Sequence, residues 1–387
     1  MLKEGIKIKD THVMVYVQAI LADAVGRAKI FNSKQYNGYY GCLHCQNPGI
    51  HINKTHCYPG INPIKRTKDD YDDHVKLSGN VGYKGIHGPS FASDFINLPD
   101  DAYIGDMHLI DEGCIKQFCN LFFLPKHHRS PFYLLRHINN MDKRLKLVKY
   151  PTEIKRIQRS LLSYIHFNAN EFRTLGNYAL IYILQNEFQD VRYYNHLVKY
   201  ILFIRLLRQD FVSDIDNSNS QILINSFLSD FPTLYGTRNL SYNMHANIHL
   251  PEQVALHGSL NIRNECPGEN CFKEFILNYH GTTNIEHQIA ENVTIKSEIH
   301  NFLTPEQVEK IEKPELKEFY YKLHDTKHSN KPYLFQFDPL LIKPHAINCN
   351  DLGIEKRLLI MYFGEQYLSQ LPILTSTKLY YNRKCKL

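Results

Sequence analysis

Several short patterns in this chain combine residue types that can do chemistry. One is Cys42-x2-Cys45, set in Gly-Tyr-Tyr-Gly-Cys-Leu-His-Cys-Gln-Asn-Pro-Gly. Two thiolates at this spacing in a glycine-rich turn can face one tetrahedral metal ion, and structural zinc takes four such ligands. His245-x3-His249 offers two more, because residues four apart on a helical turn share a face. Joined in space, the two pairs would make a Cys2His2 zinc site. A local alternative completes Cys42 and Cys45 with His56 or Cys57. Taken alone, each pair also reads as two buried thiols or as two ordinary helix histidines, since the chain has 21 His.

A second pattern is a set of carboxylates at element ends. Asp23 closes an apolar, β-branched run over residues 12–21 that reads as a buried strand. Asp106 follows the short strand candidate Ala102-Tyr103-Ile104-Gly105. Carboxylates at the ends of neighbouring strands can converge on Mg2+, which needs hard oxygen ligands. Two such ions can activate a water and stabilise the leaving oxygen at a phosphodiester. Glu265, Glu269 and Glu274 cluster near the start of a helix expected over 268–279, where acidic residues are often simple dipole partners.

Charge is distributed unevenly. Between positions 126 and 159 stand Lys126, Arg129, Arg136, Lys143, Arg144, Lys146, Lys149, Lys155, Arg156 and Arg159, opposed only by Asp142 and Glu153. Ten basic against two acidic residues give this segment +8, so with a net charge of +6 the rest of the chain carries −2. A local basic patch on a near-neutral body suits a polyanion such as nucleic acid, or else is a solvated helix face.

The elements that must position these groups can be read more coarsely. The 387 residues are 43% apolar and 22% charged, enough for a buried core and not a disordered composition. No run of 18 apolar residues occurs, and Arg205 interrupts the most apolar stretch, 200–207, so no membrane partner is expected. The opening residues have no h-region, so no signal peptide is expected. Nine unevenly spaced cysteines point to reduced thiols rather than a disulfide scaffold. Residues 32–60 and 78–90 read as short strands and loops. From about 115 to 231 the pattern is helical: Ile154, Ile157, Leu161 and Ile165 form one stripe, and Phe172, Leu175, Ala179 and Tyr182 another. Leu197, Ile201 and Ile204 form a third, whose next position is the charged Arg208. Thr304-Pro305 opens a charged helix expected to run to about 322. Strand-containing, then helical, then mixed sequence implies an α/β core interrupted by a helical insertion.

Taken in order, these motifs resemble En/Spm-type (CACTA) DNA transposases. The residues that carry the resemblance are Leu21-Ala22-Asp23, Gly41-Cys42-x2-Cys45, and Gly105-Asp106-Met107-His108 with Glu112-Gly113. Pro151-x-Glu153-Ile154 with Arg156, Glu171-Phe172-Arg173 and Tyr235-Gly236 follow. Asn243-Met244-His245-x3-His249-Leu250, Gly258-Ser259-Leu260, Gly268-Glu269 and His280-Gly281-Thr282 complete the series, which covers about residues 12–295. The sequence departs from the family at Asp23-Ala24-Val25-Gly26, usually Asp-Leu-Pro-Ala, and at Gly268, usually Phe.

The resemblance implies an RNase H-like mixed-sheet core interrupted by an all-α insertion. Residues 1–114 would be the first part of the core with the Cys-x2-Cys insert, 115–240 the insertion, 241–300 the second part of the core and 301–387 a mixed extension. It implies a catalytic triad of Asp23, Asp106 and Glu269, since Gly258 to Thr282 fits the family pattern without a gap and so picks Glu269 over Glu265 and Glu274. These residues would hold two Mg2+ or Mn2+ ions. The V(D)J recombinase core is similar in its helical insertion and its zinc site of a Cys pair and a His pair, which favours Cys42, Cys45, His245 and His249 together. The implied partners are transposon-end and target DNA in the nucleus, with assembly of two or more copies on DNA left open. The competing expectation is a domesticated, non-catalytic DNA-binding or structural descendant. A metal-dependent hydrolase of small substrates fits the basic patch and the large insertion less well.

Overall fold

The structure is a computed structural model and describes residues 6–8, 11–14, 16–151, 154, 157–263, 265, 281–302, 310, 313, 314 and 317. The chain divides into two compact units, Met1–Phe272 and Lys273–Leu387. It is a mixed α/β protein, mostly helical, with strands only in pairs among the described residues.

In the first unit, strands β1 (Ile6–Ile8) and β2 (Thr11–Val13) pair antiparallel, and β3 (Ile20–Ala22) stands apart from them. The single strand expected over 12–21 is therefore two short pieces with irregular chain between. Thr11–Val13 finds a partner in the residues just before it, and only Ile20–Ala22 reaches the buried Ala102–Ile104; Tyr16, between them, is 81% exposed. Helix α1 (Ala24–Ile30) starts directly after β3, capped by the Asp23 side chain. Strands β4 (Ile50–Ile52) and β5 (Thr55–Cys57) form a hairpin in the region expected to hold short strands and loops. Its two turn residues, Asn53 and Lys54, have φ of 48° and 66°, the left-handed values of a type I′ turn. Helix α2 (Lys68–Leu77) opens with a Thr67/Asp70 capping box.

Strand β6 (Ala102–Ile104) is wholly buried and lies parallel to β3, with Ile20 opposite Ala102 and Ala22 opposite Ile104. The chain leaves β6 into a π-helical stretch, Met107–Ile115, that runs on into α3 (Lys116–Phe123). Helix α4 (Ile138–Leu147) follows two short 3₁₀ turns. Of the helix expected from the 154–165 stripe, the described residues form only a 3₁₀ segment, Leu161–His166: Ile157 and Ile165 are exposed, while Leu161 between them is buried. Local polar contacts bend the chain instead, as the Leu161 N–H donates to Asp142 Oδ1 (2.8 Å) and Arg159 pairs with Glu171 (2.7 Å).

The next helices are α5 (Ala169–Thr174) and α6 (Leu180–Leu184), joined by a π turn. That turn shifts the stripe, so Phe172, Leu175 and Ala179 are buried but Tyr182 is exposed. Helix α7 (Val191–Leu207) buries the third stripe against α8 (Asp214–Tyr235). His196 stacks on Phe227 with ring centroids 4.2 Å apart, and Tyr200 lies 4.9 Å from the same ring. Two shorter helices, α9 (Tyr242–Ala246) and α10 (Leu250–His257), return the chain to β6. In the second unit the described element is helix α11 (Ile285–Phe302). The helices expected over 268–279 and 304–322 lie outside the described residues, apart from isolated positions.

Candidate metal centre and carboxylate cleft

Cys42 and Cys45 sit in a turn before the β4–β5 hairpin, and His245 and His249 on α9 and the 3₁₀ turn after it. The structure brings all four together. Cys42 Sγ lies 3.4 Å from His249 Nε2, Cys45 Sγ lies 3.3 Å from His245 Nε2, and all four ligand atoms fall within 4.8 Å of one another. Tetrahedral zinc, with bonds of 2.0–2.3 Å, spaces its ligand atoms about 3.3–3.8 Å apart. The four residues are buried, and this Cys2His2 cluster could bind zinc. Neither His56 nor Cys57 belongs to it. The five described cysteines are all free thiols.

The loop is braced from behind. Arg66, fully buried, donates to the carbonyls of Leu43 (2.9 Å), Cys45 (3.2 Å) and Lys84 (2.9 Å), fixing the Cys-x2-Cys turn. Tyr58 stacks on the His245 ring at 5.1 Å. Burial works against a Cys42 thiolate, yet hydrogen bonds from Cys45 and the two histidines, with the charge of His249, pull the Cys42 thiol well below its usual value. The hydrogen bond with Cys42, and then burial, push Cys45 the other way. Two buried thiols beside two imidazoles suit a divalent cation, which would stabilise both as thiolates.

The expected catalytic carboxylates are placed differently. Strands β3 and β6 carry Asp23 and Asp106 to the same end of a parallel pair. Asp23 caps α1, its Oδ1 accepting from the Gly26 N–H at 2.6 Å, and lines a narrow cleft with Arg27, Gly105, His108, Asn243 and Glu265. Asp106 turns into the helical interior and is completely buried. Its Oδ2 accepts from Arg208 Nε (3.0 Å), Arg208 Nη2 (2.8 Å) and Arg173 Nη2, while its buried Oδ1 has no hydrogen-bond partner. Asp111 completes the group: Arg173 Nε reaches its Oδ2 (2.9 Å) and Arg208 Nη2 its Oδ1 (2.8 Å). Burial raises the Asp111 carboxyl above its usual value, against the pull of the two guanidiniums.

Glu269 lies outside the described residues. Glu265 is the described glutamate at the cleft, and its Oε2 accepts the His108 backbone N–H at 3.2 Å. A side chain at Gly105 would collide with it, since a Cβ there would stand 1.7 Å from Glu265 Oε1. Continued one residue past Ala22 and Ile104, the register brings Asp23 level with Gly105 rather than Asp106, and Glu265 packs on Gly105 in the cleft that Asp23 also lines.

Of the basic segment, Lys155 and Arg156 lie outside the described residues. Arg144 and Arg159 serve internal glutamates, Glu187 (2.7 Å) and Glu171 (2.7 Å), and Lys146 pairs loosely with Asp142 (3.4 Å). Lys126, Arg129, Arg136, Lys143 and Lys149 are exposed. The sequence reading missed the roles of Arg66, Arg173 and Arg208. One signal was available: Arg208, at the C-cap of α7, takes the next position of its apolar stripe, where a charge must be buried with a partner. The sequence matches no protein-family model and no curated protein.

Proposed function

We propose that this chain is the catalytic core of a DDE-type DNA transposase, with an RNase H-like sheet split by the helical region 115–240. Its main support is the parallel pairing of the strands that carry Asp23 and Asp106, 83 residues apart, beside a cleft that also takes Glu265. Asp23, Asp106 and Glu269 would hold Mg2+ or Mn2+; the bare buried Oδ1 of Asp106 is an oxygen donor of the right kind. When bound, two such ions supply activation of the attacking oxygen and charge stabilisation of the leaving one. Asp106 is held in place by ion pairs with Arg173 and Arg208, and Asp23 is oriented by its cap on α1. The Cys2His2 cluster would hold a structural zinc tying the turn at 42–45 to α9. Nuclear localisation and assembly on transposon-end and target DNA belong to the same reading.

The second reading, a non-catalytic DNA-binding descendant, is favoured by one observation: Asp106 is sealed from solvent and held by two arginines. Nicking of DNA by the purified protein with Mn2+ or Mg2+ separates the two. Active protein should be silenced by Asp23→Asn and Glu269→Gln, with zinc content and DNA binding retained. Glu265→Gln is the discriminating variant. If it is dead while Glu269→Gln is active, the third carboxylate is Glu265. If the wild type never nicks DNA, the non-catalytic reading stands.

Phosphate contacts are assigned to the exposed part of the basic segment. Replacing Lys126, Arg129 and Lys143 together with Ala should weaken DNA binding alike across sequences. For every phosphate that is no longer neutralised, the slope of log K against log salt should flatten by about 0.9. An unchanged salt slope would reduce the patch to a solvated face. Arg144 and Arg159 are poor test positions, because their loss would disturb Glu187 and Glu171.

A further inference from the structure

The β4–β5 hairpin holds a second pair of ligand-type side chains. The type I′ turn at Asn53-Lys54 fixes the register, so Ile52 faces Thr55 and His51 faces His56. In a two-residue hairpin the pair next to the turn is hydrogen-bonded and the following pair is not, and side chains of non-hydrogen-bonded pairs stand closest. The two imidazoles share one face of the hairpin, with centroids 4.6 Å apart and Nδ1 to Nδ1 at 3.3 Å. Tyr39 sets its ring against both, at 5.1 and 5.2 Å. On the far side, His56 Nε2 is pressed on Gly49, where a Cβ would come within 2.3 Å. That leaves Nδ1 as the ring nitrogen His56 turns toward His51.

A metal held by two imidazoles at 2.0–2.1 Å, with an angle between 90° and tetrahedral, separates the nitrogens by about 2.8–3.4 Å. The observed spacing falls in that range and is long for an N–H···N hydrogen bond. We propose that His51 and His56 chelate one divalent transition-metal ion through Nδ1, at a site separate from the Cys2His2 cluster. Among the described residues no third His, Cys, Asp or Glu joins them, so the other positions go to water and binding is weaker than at the buried cluster. Imidazole nitrogens with open positions favour Cu2+ over Zn2+. Burial and then the neighbouring His51 lower the pKa of His56, which keeps it in the neutral form a metal needs. The inference does not depend on the transposase reading.

The test is titration of the full chain, loaded with zinc beforehand, with Cu2+ alone, followed by EPR with zinc measured in the same samples. One Cu2+ per chain with a two-imidazole signal is expected, zinc being retained. His51→Gln and His56→Gln should each weaken this binding at least tenfold, and His287→Gln, a change at an exposed histidine on α11, should not. His51 is exposed, so its variant tests the site without touching the core. Equal Cu2+ binding by wild type and both variants, or a signal lacking two imidazoles, would overturn the proposal and leave the pair a hydrogen bond only.

Discussion

Replacing Arg208 with methionine should destabilise the Met1–Phe272 unit by about 3–5 kcal/mol in equilibrium denaturation, the cost of breaking a buried ion pair by removing one partner. Arg208 reaches both Asp106 and Asp111, and all three side chains are almost fully buried. Methionine can fill the volume but offers no donor, so two buried carboxylates would be left to Arg173. The penalty should also depend on pH. A buried carboxyl with a raised folded-state pKa stabilises fully below its unfolded value, about 4, and loses that contribution as pH rises through the folded value. Asp111 is already raised by burial, and removing Arg208 raises it further, so the variant should lose more stability at pH 7 than at pH 5. Arg192→Met, at the exposed pair with Asp190, is the control and should cost under about 1 kcal/mol. A cost at Arg208 no larger than the control's would show that the quartet is not desolvated as described.

Purified protein should contain about one zinc per chain, and Cys42→Ser with Cys45→Ser should remove it. Bound metal is folding free energy here, because the ligands come from segments about 200 residues apart. With free zinc 1,000-fold above its Kd, the linkage is worth about 4 kcal/mol. Chelation should therefore lower the melting temperature of the wild type clearly and leave the double Ser variant unmoved. Equal zinc in variant and wild type would exclude the cluster as the site. The same metal analysis must count Cu2+ and zinc separately, given the histidine pair on the hairpin.

The parts of the site that were legible in the sequence were those set by local spacing. Cys-x2-Cys and His-x3-His each place two ligands on one turn, and both turns formed as read. The strand before Asp106 was legible too, because Ala102–Ile104 is apolar and fully buried. The partners of Asp106 were not, since nothing local links position 106 to 173 or 208. The fate of the 12–21 run was equally hidden: a β-branched stretch forms a strand only where a partner edge meets it. The 154–165 stripe failed because contacts of Asp142 and Glu171 with the backbone of Leu161 and the side chain of Arg159 outweighed a moderate helical pattern.

Gln253 adds a directional constraint to the β3–β6 pair. Its side-chain amide accepts the Ile104 N–H at 3.1 Å and points its own NH2 at the Ala102 carbonyl at 3.3 Å. A primary amide carries the same donor and acceptor as a peptide group, so one glutamine on α10 stands in for a neighbouring strand along this edge. Arg27 takes the Ala102 carbonyl as well, at 3.2 Å. An incoming strand cannot dock on β6 without evicting both side chains. Any widening of this sheet, by another part of the chain or by a second molecule, is therefore directed to the β3 side.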